Sequence, residues 1–120
     1  MTATSTSTQD SDYLDIDRAL AQIGDVSALH EMLDVLQDTL DRDVPQIARL
    51  LEGQDVKAAN RLLHSLKGFI PIFCVDALCD HVTQVEMMSK TQGSAEVGVA
   101  YAHLVPKLQQ LQTEIDHYLG

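Results

Sequence analysis

Seven apolar residues, Leu29, Leu33, Leu36, Leu40, Val44, Ile47 and Leu51, follow one another at steps of four or three. That spacing keeps to a single face of an α-helix for about six turns. A strand would need alternation, and a helix buried on every side would lack the polar residues that fill the gaps here. The chain must therefore supply further amphipathic helices to cover this stripe. Pro45 falls inside it and removes one backbone donor. Because the stripe keeps its phase across the proline, a kinked helix is expected, not a break with Asp43 capping a second piece. The segment "EGQD" ends the helix at Gly53.

The rest of the chain supplies the covering helices. "DIDRALAQIGD" predicts a short one, with Asp15 as cap, Ile16, Ala19, Leu20 and Ile23 on one face, and Gly24 as the stop. A third helix is expected from about Val56 to Cys74, with a core stripe of Ala59, Leu62, Leu66, Phe69, Ile70 and Phe73. The fourth runs from Asp76 to about Thr91, with Leu78, Val82, Val85 and either Met88 or Ser89 inward. "TQGS" is a loop in which Gly93 stops one helix and Ser94 caps the next. The last helix repeats the step at Val97, Tyr101, Leu104, Leu108, Leu111, Ile115 and Tyr118, with a bend expected at Pro106. These segments predict an all-α fold, an up-and-down four-helix bundle with a short extra N-terminal helix. A core of Leu, Ile, Val, Ala and Met, with 4% aromatic residues and no Trp, agrees. Residues 1–11 are Ser/Thr-rich without periodicity and are expected to form a disordered tail, leaving 12–120 as one helical bundle domain.

At 120 residues and a formal net charge of −10, the chain is a poor candidate for binding nucleic acid, which needs clustered Lys and Arg. No apolar run approaches the roughly 20 residues of a membrane span, and "MTATSTSTQDSD" has neither region of a signal peptide. A cytoplasmic monomer is expected. Cys74 and Cys79, at the corner where the third helix gives way to the fourth, read as reduced thiols in or near the core. The five histidines, His30, His64, His81, His103 and His117, show no ligand spacing, so neither a metal nor another cofactor is expected.

One stretch, "RLLHSLKGFIPIFC" over residues 61–74, does not behave like a purely structural helix. At 100° per residue, Lys67, Gly68, Pro71, Asn60 and Arg61 all project within about 60° of His64, away from the core stripe. An exposed neutral imidazole is a nucleophile near neutral pH. A lysine one turn on supplies charge for phosphoryl oxygens. Glycine inside a helix costs about 1 kcal/mol relative to alanine, and here it clears space beside the ring for a bulky partner. Arg49, Lys57, Arg61 and Lys67, half of the eight basic residues, gather around this helix, which favours an anionic partner there.

"HSLKG", preceded by "AANRLL" and followed by an apolar stretch and a helix ending "QVE", resembles the histidine-containing phosphotransfer (HPt) domain of multistep phosphorelays. "DIDRALAQIGD" and "LHEMLDVL" resemble that family's opening, so the likeness spans roughly 13–118. It implies a phosphoryl carrier without kinase activity of its own, taking the group from a receiver-domain aspartyl phosphate and giving it to another receiver. His64 would be the phosphoacceptor, Lys67 the lysine that steadies the phosphoryl group, and Gly68 the glycine that leaves room. The partners implied are receiver domains of response regulators and hybrid sensor kinases, which bring the divalent metal. Asn60, Arg61 and Pro71 are candidates for partner contact, and Glu86 is a candidate neighbour of Lys67, with an ordinary surface glutamate as the alternative. "FIPIFC" departs from the small residues usual after the glycine, which bears on which receivers fit. The alternative is a non-transferring module that sequesters a receiver or kinase, whose natural sign would be loss of the nucleophile. A metal or haem bundle would need inward ligands at paired heights, which Cys74, Cys79 and His81 do not supply. The Met start and the end soon after the last helix favour a free-standing carrier over one domain of a hybrid kinase.

Overall fold

Aspartates open the first three helices. In the computed structural model, which describes residues 11–120, Asp15 accepts from the Arg18 N–H at 3.1 Å, Asp25 from Ala28 at 2.9 Å and Asp55 from Ala58 at 3.2 Å. Each satisfies an amide that the first helical turn cannot. The helices they start are α1 (Ile16–Ile23), α2 (Val26–Glu52) and α3 (Val56–Phe69). A 3-10 turn at Ile70–Ile72 follows, then α4 (Asp76–Thr91) and α5 (Ser94–Leu119). Gly24 closes α1 at φ 83°, a left-handed conformation that glycine adopts without strain.

All seven residues of the long stripe are buried, and α2 runs unbroken through Pro45. Asp43 is not a cap. It is buried, and its carboxylate accepts from Arg42 Nε at 2.9 Å. One residue before the proline, the Val44 carbonyl accepts the Tyr101 hydroxyl at 2.7 Å, which ties α5 to α2. Burial pushes that phenol up from its ordinary pKa. α5 is likewise continuous through Pro106. Helix α2 packs on α3 and α5, and α4 packs on the same two, so α2 to α5 close the expected four-helix ring with α1 laid against α2.

Two boundaries differ from the sequence reading. The third helix ends at Phe69, not at Cys74. Ile70 keeps right-handed α geometry and its N–H still reaches the Leu66 carbonyl, but Pro71 has no N–H to reach the Lys67 carbonyl and the α ladder stops there. The chain tightens instead into the 3-10 turn, with the Phe73 N–H on the Ile70 carbonyl at 3.0 Å. Ser94 is the first residue of α5 and makes no cap bond; Gly93 stands at the N-cap. Both Gln92 and Gly93 are extended, so the loop ends one residue earlier than expected.

Beyond the end of α3 the chain does something that periodicity did not signal. Leu14 and Cys74 form an isolated antiparallel bridge, in which the Asp15 N–H reaches Phe73 O at 2.7 Å and the Val75 N–H reaches Tyr13 O at 2.9 Å. The carboxylate of Glu114, on α5, then accepts the N–H groups of Asp12, Tyr13 and Leu14 at 2.9, 3.0 and 2.9 Å. This strap buries Leu14 and holds α1 against the corner between α3 and α4. Cys74 and Cys79 are both free and buried, and burial pushes both thiols up. No helix among the described residues is long and apolar enough to cross a membrane. The expected tail lies, except for Ser11, outside the described residues.

Replacing Glu114 with Ala strands these three amides, which are at least partly buried. The expected loss is about 2 kcal/mol of unfolding free energy, read by urea denaturation. Amide exchange at Tyr13 and Leu14 should quicken far more than at Leu36 or Leu104.

Candidate functional site

The face of α3 turned to the core is not the one a simple wheel gives. Ala59, Leu63, Leu66 and Ile70 are fully buried, while Leu62 and Phe69 are only half-buried. The buried stripe is thus turned by about 40° from the expected one. Leu63, left out of the predicted stripe, belongs to the core. The turn carries Asn60 and Lys67 toward α4, leaves His64, Arg61 and Gly68 exposed, and brings Leu62 to the edge facing α2.

What receives Asn60 and Lys67 on α4 is Glu86. Its side chain is 0% exposed, and four side chains converge on it. Lys67 Nζ lies 3.3 Å from Oε1; Asn60 Nδ2 lies 3.2 Å, His64 Nδ1 3.4 Å and Lys90 Nζ 3.4 Å from Oε2. Asn60 Nδ2 also donates to Ser89 Oγ at 2.8 Å, and that hydroxyl donates to the Glu86 carbonyl at 2.6 Å. Burial alone pushes the Glu86 carboxyl up. The hydrogen bonds from Lys67, Asn60 and His64 outweigh it and hold the carboxyl below its ordinary value, so it is ionised at neutral pH.

The consequence for the imidazole is directional. A carboxylate at Nδ1 selects the tautomer with its proton there, because an ionised carboxylate only accepts. Nε2 then carries the lone pair, on a side chain 65% exposed. Two ammonium groups on one carboxylate leave a net positive charge beside the ring. Lys90, 51% exposed, can swing outward, whereas Lys67 at 30% is more confined.

Gly68 lies on this exposed face. A Cβ placed there meets no atom within 4 Å, so nothing inside the free protein requires glycine. Of the remaining sequence candidates, Arg61 is exposed next to the site, and Asn60 uses its amide on Glu86 and Ser89 instead of presenting it outward. Pro71 lies in the 3-10 turn past the end of α3, so the projection that set it beside His64 does not apply to it. Lys90 and Ser89 went unrecognised as site residues. The spacing of Lys90, four residues after Glu86, was the one signal available for it. Among the described residues, no group of three or more His, Cys, Asp or Glu side chains is arranged to hold a metal ion.

A family model for the Hpt domain matches residues 31–118, from α2 to the end of α5. The chain belongs to the Hpt domain family. Hpt domains are phosphocarrier modules rather than kinases, and they work with receiver domains. The α1 segment that resembled the family's opening precedes the matched Hpt region. No curated protein and no solved structure matched the chain.

The depressed Glu86 carboxyl fixes a pH dependence. Its contribution to stability is present above the ordinary value of 4.5 and is lost as pH falls through the lower folded-state value. At pH 7, Glu86→Gln should lower the unfolding free energy by about 1–3 kcal/mol. That deficit should shrink steadily when the same pair is compared below pH 4.5 by urea denaturation. A constant deficit would mean that Glu86 acts through packing alone.

Proposed function

We propose that this Hpt domain is a phosphorelay intermediate, in which His64 takes a phosphoryl group from the aspartyl phosphate of one receiver domain and passes it to the aspartate of another. The observation that carries the reading is the division of the two ring nitrogens, with Nδ1 on a buried carboxylate and Nε2 left to solvent. The Nε2 lone pair attacks phosphorus as the bond from phosphorus to the aspartyl oxygen breaks, and the donor aspartate leaves as a carboxylate. Nδ1 keeps its proton, so the imidazole ring gains positive charge, which Glu86 offsets. Delivery to the second aspartate reverses the step and restores the neutral ring.

Phosphoryl transfer depends on positioning and charge neutralisation more than on covalent machinery. Lys67 and Lys90 supply the charge, and the bare Cα of Gly68 admits the donor domain beside the ring. In this reading the chain works as a cytoplasmic monomer without a metal or cofactor of its own, and the receiver brings the metal.

Intact mass after incubation with phosphorylated receiver domains, run on wild type and His64→Ala together, tests the assignment. An acid-labile adduct is expected on the wild type and none on the variant; an adduct on the variant would sink it. Lys67→Ala should slow loading or shorten the lifetime of the adduct by about tenfold, the effect of losing one charge-assisted hydrogen bond. Gly68→Ala separates docking from folding. It should leave stability unchanged or raise it by up to about 1 kcal/mol while lowering the loading rate, and Gly68→Leu should block loading.

A further inference from the structure

Six of the eight basic residues of this −10 chain, Arg42, Arg49, Lys57, Arg61, Lys67 and Lys90, flank α3, and only Arg18 and Lys107 lie elsewhere. They form a belt across three helices. Between α2 and α3, a groove of about 400 Å³ has Arg42, Arg49 and Arg61 on its walls over Leu50, Ala58 and Leu62. Between α3 and α4, a second groove of about 330 Å³ is lined by Lys57, Arg61 and Lys90 with Asn60 and Ser89. Arg61 stands on the ridge between the two, one turn before His64.

The acids that could neutralise this belt are absent from its walls or already committed. Asp43 is the acid lining the first groove; its side chain is 4% exposed and paired with Arg42. The second groove has no acidic lining residue. Arg49 donates to the neutral Gln46, at 3.2 and 2.7 Å, and Arg61 makes no ion pair among the described residues. Three of the four arginines of a strongly acidic protein thus converge on one groove with two of them uncompensated.

We infer that the groove between α2 and α3 is a selectivity surface for receiver domains, and that it takes a carboxylate-bearing segment of the receiver that docks on His64. The inference rests on the phosphorelay reading and adds to it the chemistry of the partner. The net charge of −10 repels an extended polyanion such as nucleic acid, whereas a few protein carboxylates feel mainly the nearby guanidinium groups within a Debye length of about 8–10 Å. The apolar floor of Leu50, Ala58 and Leu62 suits a protein side chain and not a free phosphate. Receivers with a neutral or basic edge at that position are discriminated against, chiefly in the rate of encounter.

The test uses the full chain and a panel of receiver domains that differ in surface charge. Binding is read by titration, and loading of His64 by intact mass, at 50 and 300 mM NaCl. Arg49→Glu is the main variant because Arg49 lies away from the Glu86 network; Arg49→Gln guards against a folding defect, and Lys107→Glu is the control on α5. Arg49→Glu should slow loading by acidic receivers about tenfold at low salt, with the difference narrowing at high salt, and Arg49→Gln should fall between. The control should stay within about twofold. Loading of Arg49→Glu at the wild-type rate, or a loss that salt does not relieve, overturns the inference while the phosphorelay reading stands. Salt-sensitive, Arg49-dependent binding without any phosphoryl adduct keeps the groove and sinks the relay. Exposure to phosphoramidate, a donor that needs no docking, tests His64 separately. An adduct from that donor, with no receiver binding the wild type, overturns the groove alone. A concentration-dependent dimer lost in Arg49→Glu would make a second copy of this chain the occupant and overturn it as well.

Discussion

One buried carboxylate organises the working face. An ionised carboxyl group with no access to water is unfavourable by several kcal/mol unless its lone pairs are met. Glu86 is met by Asn60, His64, Lys67 and Lys90, three of them on α3. That requirement fixes how α3 sits on α4. The helix turns until Asn60 and Lys67 reach the carboxylate, which draws Leu63 into the core and lifts Leu62 to the edge. As a stabiliser alone the arrangement has little to recommend it, since an apolar residue of similar volume often serves as well as a buried ion pair. An apolar residue at 86 could not fix the imidazole tautomer or gather two ammonium groups beside the ring. On the phosphorelay reading, the residue therefore belongs to the chemistry of the face more than to the cohesion of the bundle.

The bundle was largely legible because it is written in periodicity. The seven-residue stripe of α2 and the inward positions of α5 are buried nearly as spaced, since an apolar face has only one direction to turn. His64, Lys67 and Gly68 were legible for a different reason: a glycine inside a helix next to a histidine and a lysine is an anomaly against propensity. The failures share a cause as well. Periodicity weighs apolar side chains, and the α3–α4 seam is set by polar ones, so a wheel drawn from hydrophobicity misplaced Leu62 and Leu63 and counted Asn60 as surface. The end of α3 was signalled by Pro71, but the apolar run through Phe73 and Cys74 masked it. Those residues are buried in the common core past the helix end, Phe73 with its ring edge-on to Phe69 and Cys74 bridged to Leu14. Nothing in the spacing of residues 12–15 announces a partner about 60 residues away.

Two buried glutamates solve different problems here. Glu114 accepts backbone amides and closes the N-terminal strap, a structural duty that any carboxylate of that reach could perform. Glu86 accepts mobile side chains, two of which carry formal charge. The first arrangement is fixed by the backbone. The second can rearrange, because Lys90 is half exposed and its distance to the carboxylate, 3.4 Å, is that of an ion pair longer than a charged hydrogen bond. A second anion arriving next to the imidazole can therefore draw Lys90 toward itself without unfolding anything.

On the phosphorelay reading, the place of His64 on its helix explains why the lysines are needed at all. Phosphate sites on helices commonly use the N-terminus, where free N–H groups and the macrodipole favour an anion. His64 lies instead in the C-terminal half of α3, five residues before the helix ends at Phe69, with its nearest terminus carrying partial negative charge. The backbone opposes an anion there, so positive charge must come from side chains, and Lys67 in the last turn also suits the dipole. A site built this way has little non-covalent hold on free phosphate, since it offers two flexible ammonium groups and no cradle of amides. Retention of a phosphoryl group would then depend on its covalent bond to nitrogen. That is the property a carrier needs: the group stays while the bond lasts, and nothing holds it back once an aspartate takes it.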